Sequence, residues 1–159
     1  MAQLPDAAPD GMFFDVRGTE FLPIAVFTFV DLPEAQLEKL VVQLEGDQGP
    51  DEDNDDLPHL LQLASQDTRK QNSLSATLKH HIDYCKQKKG SPEYYPYAFV
   101  AIHSKDYDNE GVYVVYMDFD KPHAITAFRT SVDNAADACQ TIRDDEDGIE
   151  QVVEYYALK

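Results

Sequence analysis

The chain has 159 residues and a mass of 18.0 kDa, the length of one ordinary domain. Its 30 Asp and Glu outnumber 13 Lys and Arg, which gives a formal net charge of -17 and a pI near 4.4. That charge excludes general binding to nucleic-acid backbones or anionic membranes, because both would be repelled.

Hydrophobic residues make up 43% and aromatics 11%, a globular composition rather than a disordered one. A domain this long buries enough surface to fold without metal or disulfide staples. The N-terminal Met-Ala-Gln-Leu-Pro-Asp has no basic n-region and no apolar h-region, so no ordinary secretory signal is expected. The longest apolar run, Leu22 to Val30, is too short to cross a bilayer. Two cysteines, Cys85 and Cys139, do not make a disulfide framework at this length. A reduced, cytoplasmic protein is the expectation.

In chain order, residues 1–11 are rich in Ala, Pro and Asp and read as a mobile tail. Residues 12–159 read as one globular α/β domain, with α+β as the alternative. Met12 to Val16 suits a short edge strand or flap. Phe21 to Val30 is almost continuously apolar and suits a strand buried on both faces, with Pro23 at its start. Asp31 fits a helix N-cap, with Glu34 three residues on. Leu37, Leu40, Val41 and Leu44 then space one apolar stripe along a helix that Gly46 ends.

Residues 45–56 hold seven acids and no base, and Gly46, Gly49 and Pro50 make them a loop. Leu57, Leu60, Leu61 and Ala64 have the spacing of a short helical turn. A longer helix is expected from about Ser73 to Lys88, with Leu74, Leu78, His81, Ile82 and Cys85 inward and Gly90 at its end. Residues 69–89 contain six of the 13 bases against one acid, Asp83, a local net charge of +5. The chain is therefore charge-polarised. A second acidic run, from Asp144 to Asp147, lies near the C-terminus.

Tyr97 to His103, Val112 to Phe119 and His123 to Thr130 read as three strands. A polar loop at 104–111 and a tight turn at Asp120-Lys121 join them. Ser131 or Asp133 caps a further helix to about Arg143. Residues 149–156 repeat a helical spacing, although Val and Tyr also favour strands. The expected architecture is a mixed four-stranded sheet. It has one parallel crossover pair, an antiparallel three-strand meander and helices packed on it.

Catalytic signatures are sparse. No nucleophile elbow, phosphate-binding loop or dinucleotide fingerprint occurs, so no nucleotide cofactor is expected. Asp51, Asp53 and Asp55 stand at the first, third and fifth positions of a calcium loop. The match then fails at Asp56, Pro58 and Gln62, so no metal site is assigned. His81 and Cys85 stand i, i+4 on one helix face without a second ligand pair, and read as core. Asp31 and His103 would both end parallel strands, the edge where ligands of open α/β sheets bind. A carboxylate beside an imidazole makes a base near neutral pKa, so they form one candidate pair. Asp118, Asp120 and His123 offer the alternative pairing.

Two functions compete on these residues. One is a small acidic interaction or regulatory module for a partner protein with a basic surface. It would bind through Asp51, Asp53, Asp55 and Asp56, helped by the aromatic patch at Tyr94 and Tyr95. The other is a small cofactor-independent isomerase or hydrolase using a His–carboxylate pair.

Overall fold

The computed structural model describes residues 4, 22–46, 59–88, 93–118, 124–144 and 148–158. Strand β1 (Ile24–Thr28) is an interior strand of its sheet, and all five of its residues are buried. A strand in the middle of a sheet covered on both faces has no solvent side, which explains its unbroken apolar sequence. Pro23 precedes it, where its missing N–H costs no ladder bond.

Helix α1 (Glu34–Glu45) follows and buries Leu37, Leu40 and Leu44. The residue before its first turn is Pro33, with no side-chain cap, so Asp31 is not the N-cap that its sequence position suggested. Its carboxylate is bonded to Lys70 instead. Gly46 ends the helix at φ +55, a backbone region that favours glycine. The helix runs through Glu45, so this acid belongs to α1 and is buried, not part of an exposed acidic loop.

The sheet has five strands, not four. The added one is β2 (Leu61–Leu63), where a helical turn was expected. It pairs parallel with β1, Ile24 opposite Leu61 and Val26 opposite Leu63. Leu61 is buried and Gln62 is exposed, which is the period-2 alternation of an edge strand. Helix α2 (Leu74–Gln87) carries the chain across to β3 (Ala98–Ile102), which pairs parallel with β1 on the other side. Ser73 caps α2, its hydroxyl accepting the N–H of Ala76. The loop expected after β3 contains a one-turn helix, α3 (Tyr107–Glu110). Strands β4 (Val112–Met117) and β5 (Ile125–Thr130) complete an antiparallel meander with β3. The spatial order is β2-β1-β3-β4-β5.

Right-handed crossovers to opposite sides of β1 place α1 and α2 on opposite faces. Phe27 and Phe99 turn toward α2, where Phe27 meets the rings of His80 and His81 edge-on at 5.7 and 6.2 Å. The opposite face carries α1, a 3-10 turn at Val132–Asn134, and α4 (Ala135–Asp144), which packs against β3 and β4. The last segment, Ile149–Tyr156, is helix α5 rather than the alternative strand. It delivers Ala157 to a bridge with Thr130, and the N–H of Leu158 reaches the Arg129 carbonyl at 2.7 Å. No helix among the described residues is long and apolar enough to cross a membrane.

Candidate functional site

The strand order reverses between β1 and β3, so their carboxyl ends frame the crevice where open α/β sheets place ligands. Asp31 follows β1 at this edge and His103 follows β3, as the sequence placed them. The crevice is laced by the chain itself. The N–H of Phe29 bonds the Ile102 carbonyl at 2.9 Å, and Thr28 exchanges backbone bonds with Arg69 and Gln71. Gln36 of α1 donates to the Tyr107 hydroxyl of α3 at 3.0 Å. Arg69 pairs with Glu34 at 2.8 Å.

Asp31 is 91% exposed, and Lys70 both hydrogen-bonds its carboxylate and lies beside it as a charge. These two effects hold its carboxyl below the ordinary carboxylate range, which makes it a weak base. Among the described residues no hydrogen bond joins Asp31 to His103. The imidazole of His103 instead stands edge-on to the Tyr113 ring at 4.7 Å. Its Nδ1 is buried with no hydrogen-bond partner among the described residues. Burial, then the charge of Arg129, lowers its pKa, while Glu110 opposes the shift. Arg129 itself holds Glu110 at 2.9 Å.

The structure thus gathers His103, Tyr113, Arg129 and Glu110, and three of these four were not singled out by sequence. The signal was the hairpin register. Ala101 opposes Tyr113, and Tyr113 opposes Arg129, so all three side chains share one sheet face. Asp118 closes β4, its N–H bonded to the Ala124 carbonyl at 2.8 Å. Asp120 and His123 lie outside the described residues, as do Asp51, Asp53, Asp55 and Asp56.

Glu45 and His59 stand at the two borders of the acidic segment. The Glu45 carboxylate accepts the N–H groups of Leu60 at 2.8 Å and Leu61 at 3.1 Å. Its other oxygen lies 3.1 Å from Nδ1 of His59. A buried carboxylate needs such donors, and here they fasten the end of α1 to the start of β2.

Tyr94 and Tyr95 are buried, at 8% and 7% exposure, rather than spread on the surface. Tyr95 packs against Tyr97, while Tyr94 meets Tyr84 at 5.9 Å and lines a cleft. This cleft lies between α2 and the turn after β2, with Phe27, Ser65, Thr68, His80 and Tyr84 also in its walls. Deeper in, His81 is buried and bonds the Pro96 carbonyl at 3.2 Å. Burial lowers its pKa to about 4. Cys85, whose Sγ is 3.7 Å from that imidazole, is also buried. Among the described residues no group of three or more His, Cys, Asp or Glu has the placement to hold a metal ion.

Comparison with protein-family models, with curated proteins and with solved structures returns no significant match for this chain.

Proposed function

We propose that the protein is a docking module whose acidic segment, residues 47–58, engages a partner protein with a basic surface. The observation that carries this reading is the fixed base of that segment. Glu45 ties Leu60 and Leu61 to the end of α1, so the described residues that flank the acidic segment on its two sides are fastened to each other. Anchoring lowers the ordering cost of an encounter, and a dense negative charge steers a basic surface toward it. The groups that catalysis would use lend less support. Asp31 is held by Lys70, and both cysteines are buried with thiols pushed up to about 12.

The test is capture from source lysate at low and high salt. The wild type is compared with a variant carrying D51N, E52Q, D53N, D55N and D56N. Wild type is expected to hold a basic protein at low salt and release it when the charges are screened. The neutralised variant is expected not to hold it. Equal capture by both proteins, or no salt-sensitive partner at all, overturns the reading.

One observation favours a second reading, a cofactor-independent isomerase or hydrolase. Nδ1 of His103, without a hydrogen-bond partner among the described residues, sits beside Arg129 and Tyr113, an arrangement that could pair a base with a charge stabiliser. Turnover of any component of a source metabolite extract, lost in His103→Ala, would replace the docking reading.

A further inference from the structure

We propose that the cleft between α2 and the 64–68 turn receives a primary ammonium head, the side-chain terminus of a lysine on the basic partner. The identity of that occupant rests on the docking reading above.

The cleft is shallow and partly open: about 230 Å³ of space lies between its walls when the adjoining solvent is counted, and the cleft as a whole has room for about one water molecule. A primary ammonium is about the size of water; a trimethylammonium is not. The walls are mostly aromatic. Phe27 and His80 meet edge-on, His80 and Tyr84 lie 6.0 Å apart, and Tyr84 and Tyr94 lie 5.9 Å apart. Aromatic faces carry the negative side of their quadrupole and attract cations.

The acceptors are also present. An ammonium has three donors and no acceptor. Ser65 and Thr68 share one hydrogen bond at 2.8 Å, which leaves lone pairs on both hydroxyls. The Tyr84 hydroxyl donates to Glu93, so its oxygen keeps acceptor capacity next to a carboxylate.

Tyr84, which lines the cleft, already meets one ammonium of this chain. Nζ of Lys88 lies 5.9 Å from the centre of the Tyr84 ring and 3.6 Å from Glu93. The cleft lies on the basic 69–89 segment, and Nε of Arg69 donates to the Ala64 carbonyl in its wall at 3.1 Å, but the cations nearest it among the described residues are each paired with a carboxylate. Arg69 is paired with Glu34, and Lys88 with Glu93. Lys79 and Lys86 are exposed, and helical spacing sets them on the far side of α2 from His80 and Tyr84.

The experiment is an amide-resolved NMR titration of the full chain with four probes. These are N-acetyl-lysine methylamide, its Nε-trimethyl form, the uncharged norleucine analogue, and acetate. The lysine probe is expected to give saturable shifts at Ser65, Thr68, His80 and Tyr84, with the other three giving none. Tyr84→Leu is expected to weaken the lysine probe roughly two- to thirty-fold. Lys88→Ala, a surface change that removes the internal competitor, is expected to tighten it by about two-fold or more. Absence of saturable shifts, equal saturation by any other probe, or weaker binding in Lys88→Ala would each overturn the proposal. Because the probes are free ligands, such a failure leaves salt-sensitive capture by the acidic segment standing. Loss of that capture leaves the ammonium cleft standing without its partner.

Discussion

Glu45 accepts the backbone N–H of Leu60 at 2.8 Å, across 15 residues of chain. The contact joins the last turn of the first helix to the second strand, and it does so from a carboxylate only 7% exposed. Removing it strands the buried N–H groups of Leu60 and Leu61. Glu45→Ala is therefore expected to cost about 2–4 kcal/mol. Glu45→Gln keeps an acceptor oxygen and is expected to cost about half as much or less. Urea unfolding followed by circular dichroism measures both. An unchanged midpoint in Glu45→Ala would show that the clasp contributes nothing to the fold.

The parallel pair β1 and β3 was legible because both strands are unbroken apolar runs separated by helical spacing. Hence the sequence alone places Asp31 and His103 at the carboxyl ends of neighbouring strands. Strand β2 was not legible. Leu57, Leu60, Leu61 and Ala64 mimic a helix period, and three residues of alternation at Leu61, Gln62 and Leu63 are too few to outweigh it. Pairing with β1 decides the matter, and pairing is a tertiary effect. The neighbours of His103 were hidden for a similar reason. Arg129 reaches it through two strand registers, and Glu110 through a one-turn helix that reads as polar loop.

The buried imidazole of His81 gives the fold a definite pH dependence. Burial is the largest influence on it, and its pKa falls to about 4 from an ordinary 6.5. The unfolded chain therefore takes up the proton first as the pH drops. Stability from neutral His81 is complete above about pH 6.5 and is lost progressively toward about pH 4. The loss approaches roughly 3 kcal/mol at the low end, as an order of magnitude. His81→Gln keeps a donor for the Pro96 carbonyl but does not titrate. Its stability is expected to fall less than that of wild type between about pH 7 and pH 5. Parallel pH profiles for the two proteins would assign the acid sensitivity elsewhere.

Gly111 turns the chain from the one-turn helix into β4 at φ +71. A Cβ there would lie 2.2 Å from the Thr130 carbonyl oxygen and 2.7 Å from the Leu158 side chain. Backbone cannot yield as a flexible side chain does, so Gly111→Ala combines left-handed strain with a clash. The expected cost is about 3 kcal/mol or more. The damage should concentrate where β5 meets the C-terminal residues, since Leu158 also bonds the Arg129 carbonyl. Hydrogen exchange would then show faster exchange at Leu158 than at the β1 amides. A melting temperature equal to wild type would sink this account.

Cys85 and Cys139 are 7% and 0% exposed, and burial pushes both thiols up to about 12. At that value roughly one thiol in 10⁴ or fewer is thiolate near pH 7.5, against about one in ten for an ordinary exposed cysteine. Burial blocks the reagent as well, so the two effects act together. Native protein is expected to resist an aromatic disulfide reagent, and protein in urea to react at both sites. Single Cys→Ser variants separate the two thiols. Cys139 lies at the centre of α4 and should report global unfolding. Cys85 lies in the last turn of α2, beside His81, and should react first when that end frays. Fast labelling of Cys139 in native protein would mean that α4 opens without the rest of the sheet. That outcome would contradict the packing of α4 on β3 and β4 described here.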